Sequence, residues 1–288
     1  MNAIKSGEMS VLDVIQWIAD HGGEHVEIVP FGFQLVDNDA LIDAIREKAA
    51  AAGLIISNYA ILADLLKESR EEYEAEVERL KREVDIARKL GVTTMRHDVA
   101  AFRRPMQLSS AVHFEQDLPR LVEGCRIIAD YAAQFGITTT LENHGFYVNG
   151  SDRVIRLIEA VGRPNYRLTL DTGNFWCVDE DPVVGVIKTI PYAAMIHLKD
   201  FYFRRRSRYG KQGTLFRCDS GTWFQTTTGN LLRGAIVGDG DIDMAETLSV
   251  IKQSGYEGCI SLEFEGLEDC RTGTRIGLEN ARQIWEQV

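Results

Sequence analysis

Four apolar, strand-like runs in the second half of the chain each carry a residue type that can bind a metal ion. The runs are TTTLEN, YRLTLD, AMIHLKD and CISLEFEG, and the residues are Glu142, Asp171, His197 and Glu263. Their neighbours at odd offset are bulky and apolar, so the two-residue period of a strand turns the polar side chain to the opposite face. Three carboxylates gathered at one poorly solvated site would repel one another unless a cation lies among them. The pattern therefore predicts a divalent metal site.

These residues can meet only if the strands are parallel and their carboxyl ends share one edge of the sheet. The chain repeats the order helix, glycine, strand, as in KLGVTTMRHD and QFGITTTLEN. Glycine suits the left-handed end of a helix, and the apolar run after it suits a buried parallel strand, so right-handed βα units are expected. The predicted helices lie near 10–20, 39–52, 70–90, 115–135, 151–161, 182–190, 243–254 and 276–287. The predicted strands are 25–30, 55–60, 92–98, 138–143, 166–171, 194–199 and 259–265.

The order of these elements predicts a (β/α)₈ TIM barrel, as a single domain over residues 1–288. Such a barrel should begin with a strand, yet the opening MNAIKSGEMS is short and polar and leads directly into the first helix. We therefore expect the first strand to be missing from the N-terminus of this chain. Either the barrel is open at this point, or the true start lies upstream of Met1.

One strand-to-helix connection, at about residues 201–242, is far longer than the others. Loops of this length are usually functional or disordered. Basic side chains here could attract an anionic substrate, and aromatic ones could wall a pocket or form a subunit contact in a homo-oligomer. A solvated surface excursion explains the composition equally well. The basic residues are Arg204, Arg205, Arg206, Arg208 and Lys211, and the aromatic ones are Phe201, Tyr202, Phe203 and Trp223.

Length and composition narrow the class of protein. A chain of 288 residues with 45% hydrophobic content can bury the core of one barrel domain. No stretch approaches the ~18 consecutive apolar residues of a membrane span, and no export signal opens the chain, so we expect a cytoplasmic protein with no membrane partner. The net charge of −11 disfavours a nucleic-acid partner. Five scattered cysteines without a CxxC pair are typical of reduced thiols.

LENH, DTGN, HLKD and the closing GDGDID…GYEGCISLEFEG, in this order, resemble the xylose isomerase-like TIM-barrel superfamily of sugar isomerases and epimerases. The resemblance covers essentially the whole chain from the first helix onward. It implies that Glu142, Asp171, His197 and Glu263 hold one divalent metal ion. In the isomerase and epimerase branches it further implies that the two glutamates transfer protons.

The chemistry of the four ligand types points to the same class of reaction. An oxygen-rich site with one imidazole suits Mn²⁺ or Mg²⁺ and is compatible with Co²⁺ or Zn²⁺. A metal there could bind a carbonyl and an adjacent hydroxyl of a sugar and stabilise the enediolate that forms when the α-carbon loses its proton. We therefore expect a metal-dependent isomerase or epimerase acting on a small sugar or sugar-like polyhydroxy ketone.

Two other activities use related sites. A metal-dependent dehydratase of a cyclic polyol or keto acid, of the inosose or dehydroshikimate type, begins with the same proton abstraction and stays open as an alternative. An apurinic endonuclease of the same superfamily is disfavoured, because the resemblance implies for that class a cluster of three zinc ions that needs several further histidines. Asn174 occupies one such position, and residues 198–237 contain no histidine.

Each predicted ligand also has an ordinary structural interpretation. Glu142 and Glu263 could be structural carboxylates, and Glu265, on the same face as Glu263, is a rival ligand. Asp171 could form an Asx-turn or cap a helix. His197 could be a core histidine, but its place in the set of four favours the ligand role.

Five further residues are candidates for substrate binding. His144 and Lys199 share the inward parity of the predicted ligands on their strands. Glu27, Arg96 and His97 lie near the carboxyl ends of two earlier strands. Each of these three could equally be a structural hydrogen-bonding residue.

Overall fold

The structure is a computed structural model that describes residues 2–206 and 222–288. Helices and strands alternate along most of this length. The helices are α1 (Asn2–Lys5), α2 (Val11–Asp20), α3 (Asp39–Ala51), α4 (Arg70–Leu90), α5 (Ala111–Ala133), α6 (Ser151–Val161), α7 (Pro182–Thr189), α8 (Met244–Gln253) and α9 (Cys270–Gln287). The strands are β1 (His25–Ile28), β2 (Ile55–Ile61), β3 (Thr94–His97), β4 (Thr138–Glu142), β5 (Tyr166–Asp171), β6 (Ala193–Leu198), β7 (Asp200–Arg204), β8 (Phe224–Gln225), β9 (Leu231–Ala235) and β10 (Ile260–Leu262).

Seven strands form the main sheet in the order β1, β2, β3, β4, β5, β6 and β10. Helices separate consecutive members, as parallel pairing requires, and the pairs β1/β2, β2/β3, β3/β4 and β6/β10 are parallel. Over the described residues no strand precedes α2. The prediction of a βα architecture whose first strand is missing from this chain is therefore confirmed.

Helix α4 shows how local sequence signals set the bounds of an element. Ser69 accepts a hydrogen bond from the Glu72 amide, and the Glu72 side chain returns one to Ser69, which forms a capping box. The helix ends at Gly91, whose φ of 79° is the left-handed conformation that glycine adopts without strain. Its apolar stripe, including Val77 and Leu80, is buried.

Two helices begin several residues earlier than predicted, because polar caps start them before the apolar periodicity becomes visible. Helix α5 begins at Ala111, since the Ser110 side chain accepts from the His113 amide. Helix α9 begins at Cys270, where the Asp269 side chain caps its first turn.

The chain divides into two compact units, and the first comprises Met1–Glu142 and Arg156–Leu168. Here β1 to β4 pair in consecutive order, with Glu27 beside Asn58 and Arg96 beside both Ala60 and Thr140. Facing pairs in register point to the same side of a sheet. One face of this unit therefore carries a row of polar side chains at the carboxyl ends of its strands.

The second unit comprises Asn143–Ile155 and Thr169–Val288. The long connection predicted at about 201–242 contains the strands β7, β9 and β8, which form a separate antiparallel sheet. Phe201, Leu232 and Cys177 form its buried core. Arg208 and Lys211 lie outside the described residues, and the single-domain organisation of the whole chain stays a prediction.

In the part of the chain that the structure describes, no helix is both long and apolar enough to cross a membrane. Four cysteines there carry free thiols: Cys125, Cys177, Cys259 and Cys270.

Candidate metal centre

Four side chains of the main sheet meet in one group. A ligand atom from each of Glu142, Asp171, His197 and Glu263 lies within 4.8 Å of the others. The first three residues are buried and Glu263 is half-buried. Ligand atoms at 2.0–2.2 Å from a shared ion are at most about 4.4 Å apart, so the spacing is close to that of a coordination shell. Three carboxylates and one imidazole are also a donor set that suits a divalent cation. This cluster could hold a metal ion.

Strand ends position all four side chains. Glu142 and Asp171 are the last residues of β4 and β5, and His197 is the penultimate residue of β6. Glu263 directly follows β10, where its amide donates to the Leu198 carbonyl at 2.9 Å and extends the pairing with β6. The sequence pattern placed these residues at the carboxyl ends of their strands, and the structure has them there.

Asp171 uses its two carboxylate oxygens differently. Oδ1 accepts hydrogen bonds from the amides of Gly173 at 2.8 Å and Asn174 at 2.7 Å. Oδ2 lies 3.3 Å from the Lys199 ammonium. The sequence left the Asx-turn and metal binding as alternative roles of Asp171. In the structure Oδ1 makes the turn and Oδ2 points away from it, so the residue can do both.

Two polar side chains that the sequence analysis did not single out fix the backbone around Asp171. The Asn143 amide group donates to the Asp171 carbonyl at 2.9 Å and accepts from the Asp171 amide at 2.8 Å. Thr172 exchanges two hydrogen bonds of 3.1 Å with the backbone of Lys199. A Cβ on Gly173 would lie 2.9 Å from the Lys199 carbonyl oxygen, so this close approach of two strand ends requires glycine. Asn143 belongs to LENH, and Thr172 and Gly173 belong to DTGN, so the two motifs were the sequence signal that could have identified these residues.

Lys199 lies among the carboxylates. Its Nζ is 3.0 Å from Glu263 Oε2, 3.3 Å from Asp171 Oδ2 and 3.5 Å from Glu265 Oε1. It also donates to Asn174 Oδ1 at 3.3 Å. Only 2% of the side chain is exposed. The sequence predicts a substrate contact here, whereas the structure shows the ammonium paired with two of the candidate ligands.

The charges around Glu263 keep it ionised. Burial by itself would raise the pKa of Glu263, but the Lys199 ammonium and the His197 ring, whose Nδ1 is 3.6 Å from Oε2, hold it well below its usual value. Glu263 is therefore a carboxylate at neutral pH, which is the form that binds a cation or accepts a proton.

Arg96 pairs with Glu142. Its guanidinium makes a close ion pair with the Glu142 carboxylate and lies 3.4 Å from Asp98 Oδ1. It also donates to the Ile61 carbonyl at 3.3 Å. The structure thus brings this predicted residue to a candidate ligand, where it fixes the direction of the carboxylate.

Glu27 lies on the same face of the sheet as Arg96. Its carboxylate accepts a hydrogen bond of 2.7 Å from the Asn58 side chain, which is fully buried. Asn58 was not among the predicted residues, since a lone asparagine inside an apolar strand gives no pattern. The two form a polar pair near the carboxyl ends of β1 and β2.

The structure does not bring His97 or His144 into the group of four. His97 is one residue from Arg96 on β3, so it faces the other side of the sheet, where its ring centre is 6.2 Å from that of Tyr166. Burial lowers the pKa of His97, which keeps the ring neutral. His144 is half-buried, two residues beyond β4.

Several of the described side chains of the long connection pair or stack with neighbours in the same connection. Arg204 lies 3.0 Å from Asp241 and 5.7 Å from the centre of the Trp223 ring. Arg233, which the prediction did not include, lies 5.2 Å from the Trp223 ring and 4.7 Å from the Tyr202 ring. Such stacking stabilises the antiparallel sheet and agrees with the structural interpretation of these residues.

The family described as Xylose isomerase-like TIM barrel matches residues 15–284. The chain belongs to this family. The predicted fold class and the resemblance noted in the sequence are both confirmed.

Two curated relatives are named inosose dehydratase. The protein of Bacillus velezensis is 26% identical over 157 residues, which cover 53% of this chain and 49% of the relative. The protein of Bacillus licheniformis is 24% identical over 218 residues, which cover 74% and 68%. The chain therefore spans between about half and two thirds of these relatives.

Solved structures share the fold at low identity. D-Psicose 3-epimerase with D-tagatose from Clostridium cellulolyticum H10 has a TM-score of 0.71 at 16% identity and covers 96% of this chain and 94% of its own. A Xylose isomerase-like TIM barrel protein from Mycobacterium smegmatis in complex with magnesium has a TM-score of 0.67 at 19% identity, with 96% and 87% covered. These likenesses establish the fold alone.

Proposed function

We propose that the protein is a divalent-metal-dependent isomerase or epimerase of a sugar or sugar-like polyhydroxy ketone. The reaction moves a proton at the carbon beside the carbonyl. One observation carries the proposal: the carboxylates of Glu142 and Glu263 come from separate strands and belong to one group with Asp171 and His197, all within 4.8 Å.

In the proposed site these four residues hold Mn²⁺ or Mg²⁺, which an oxygen-rich donor set favours, with Co²⁺ or Zn²⁺ as less favoured ions. When bound, the cation supplies Lewis-acid stabilisation of negative charge on a substrate oxygen. A solved structure of the same fold was obtained in complex with magnesium, which supports the choice of a hard cation.

Glu142 and Glu263 are the proposed proton-transfer groups. One carboxylate removes the proton from the α-carbon and an enediolate results; the other returns a proton. Return from the opposite face gives an epimer, whereas return to the neighbouring carbon gives an aldose–ketose isomer. Arg96 orients Glu142 through its ion pair.

Two other predicted residues are proposed as substrate contacts. The Glu27 carboxylate, held by Asn58, can accept a hydrogen bond from a substrate hydroxyl. His144 is half-buried beside β4 and can donate or accept one.

A dehydratase of a cyclic polyol ketone is the second candidate, and the names of the curated relatives favour it. It begins with the same removal of a proton beside a carbonyl. It differs in the second step, where a hydroxyl leaves from the adjacent carbon with a proton and a double bond remains.

A panel of ketoses, ketose phosphates and inososes, incubated in deuterated water with each metal, separates the candidates. Epimerisation should place deuterium at the α-carbon, and isomerisation should place it at the former carbonyl carbon, unless the transferred proton is shielded from solvent. With the metal ion at saturating concentration, Glu142→Gln and Glu263→Gln should each lower turnover at least ~10²-fold with substrate binding nearly intact. Glu180→Gln is the matched control and should leave turnover unchanged, because this half-buried carboxylate accepts a hydrogen bond from the Ser151 amide and is outside the group of four. A dehydrated product without isomer would replace the first candidate by the second, and no reaction with any substrate would count against both.

A further inference from the structure

The Lys199 ammonium lies against the same carboxylates that the proposed metal would use. Its Nζ is 3.0 Å from Glu263 Oε2 and 3.3 Å from Asp171 Oδ2. Glu265, a third carboxylate, is 3.5 Å away. These are distances of ion pairs, so the lysine already supplies a positive charge at this end of the sheet.

The position of this ammonium is fixed by the fold. Lys199 follows β6 directly, and its backbone exchanges two hydrogen bonds with Thr172, the residue after Asp171. Its Nζ donates to Asn174 Oδ1 as well. With 2% of the side chain exposed, the ammonium is shielded from bulk water.

A buried lysine is stable only when it is paired, and the same holds for buried carboxylates. Asp171 is fully buried. If Lys199 were neutral or absent, Asp171 and Glu263 would repel each other in a medium that screens charge poorly. The ion pairs therefore stabilise the strand ends independently of any bound ion.

We propose that Lys199 is a positioning residue that acts as a built-in counter-ion, competing with the divalent metal for Asp171 and Glu263. It keeps the ligand carboxylates together without metal, and it limits the affinity with which the metal binds. Removing Lys199 takes one positive charge away from the side chains around the proposed ion, so the remaining carboxylates attract a divalent cation more strongly. The inference rests on the proposed metal site.

The test compares full-length wild type with Lys199→Met and Lys199→Gln. Thermal unfolding in the presence of a chelator should show that both variants melt several degrees lower, because the carboxylates lose their counter-ion. Titration calorimetry with Mn²⁺ should show that both variants bind the ion at least ~10-fold more tightly, since a nearby positive charge has been removed. The rise in melting temperature on addition of Mn²⁺ should then be larger than in wild type.

Lys188→Met is the matched control. Lys188 also pairs with two carboxylates of the same unit, at 2.9 Å from Asp152 and 3.6 Å from Glu180, but 41% of its side chain is exposed. Its replacement should leave the Mn²⁺ affinity unchanged, because it is not in contact with a candidate ligand.

The outcomes are distinguishable. Equal or weaker Mn²⁺ binding by the Lys199 variants, with Mn²⁺ still bound by wild type, overturns the counter-ion role and leaves the metal site standing. An unchanged melting temperature in chelator overturns it as well. Absence of Mn²⁺ binding in wild type and in every variant overturns both the metal site and the competition. Lys199→Gln, which can still donate hydrogen bonds to the carboxylates, serves if Lys199→Met does not fold.

Discussion

At the scale of single residues, several side chains of the candidate centre each bind more than one partner. Asp171 is the best example, because one oxygen holds the turn after β5 and the other faces Lys199. Arg96 similarly binds both Glu142 and Asp98. Replacing one such residue therefore changes local structure and site chemistry together, and a test of the metal site must separate the two.

Asp171→Asn should lower the affinity for Mn²⁺ by at least ~10-fold. Replacing a group that merely orients a metal ligand usually lowers metal affinity about 10–100-fold, and Asp171 is itself a proposed ligand. The remaining oxygen can keep the turn, so the protein should still fold. Metal analysis after dialysis against Mn²⁺ measures the effect, with His197→Ala as a second ligand variant.

Asp179→Asn is the control, because it also replaces a carboxylate that accepts several hydrogen bonds. Asp179 accepts hydrogen bonds from Thr226, Thr227, Thr228 and Asn230, and it is not in the group of four. Its replacement should destabilise the protein without loss of metal. Undiminished metal content in both the Asp171 and His197 variants would refute the assignment of ligands.

At the scale of elements, one buried carboxylate holds the turn that leads into α8. Asp200 Oδ2 accepts from the Gly238 and Gly240 amides at 3.0 Å, and Oδ1 accepts from the amides of Phe201 at 2.8 Å and Ile242 at 3.3 Å. A Cβ on Gly240 would lie 2.1 Å from Asp200 Oδ1. The GDGDI segment thus folds around a single side chain at the start of β7.

Asp200→Asn should reduce the free energy of unfolding by about 2 kcal/mol or more, because an amide NH₂ would replace an acceptor that binds two buried backbone donors. Urea denaturation at pH 7 measures this. Asp243→Asn, which alters an N-cap rather than the turn itself, is a milder comparison.

The same residue predicts a pH dependence. Burial raises the pKa of Asp200 from 3.8 to about 6, although the backbone amides lower it in part. Because the folded-state pKa is the higher one, the folded protein holds this proton between pH 3.8 and 6 after the unfolded chain has released it. The contribution to stability is therefore full below that range and is lost as the pH rises through about 6. The stability difference between wild type and Asp200→Asn should be ~1 kcal/mol larger at pH 5 than at pH 7. A difference that stays constant or shrinks would contradict the raised pKa.

At the scale of the whole molecule, two buried thiols report on the two compact units. Cys125 lies in α5 of the first unit and Cys177 in the second, and both are buried. Burial raises the pKa of the Cys125 thiol to about 12, so this thiol is protonated and unreactive at pH 8 while the protein is folded.

If the chain unfolds as the single domain that the sequence predicts, Cys125 and Cys177 should become reactive towards iodoacetamide at the same urea concentration. Peptide mass spectrometry after pulse labelling distinguishes the two. Cys270, which is partly exposed, should react before unfolding and serves as the internal control. Two separate labelling midpoints would show that the units unfold independently.

The sequence by itself was enough for the order of the helices and strands that build the main sheet, since each signal it used is local. Helix α1 and the strands β7, β8 and β9 of the long connection were not predicted. The capping serine and the αL glycine of α4 directly flank the helix, and the apolar stripe repeats within it. The period of two along β4, β5 and β6 likewise placed Glu142, Asp171 and His197 on the face opposite their apolar neighbours. Local patterns also revealed that no strand precedes α2 in the described chain.

Only the tertiary structure decided which polar atoms are partners. Thr172 meets Lys199 across 27 residues, Asn143 meets Asp171 across 28, and Asp200 meets Gly240 across 40. Such pairs depend on which strands are neighbours and on their register, and neither is written in the spacing along one strand. From the strand period alone, Lys199 was predicted to contact a substrate. In the structure its ammonium, which is excluded from water, pairs with carboxylates at the ends of neighbouring strands.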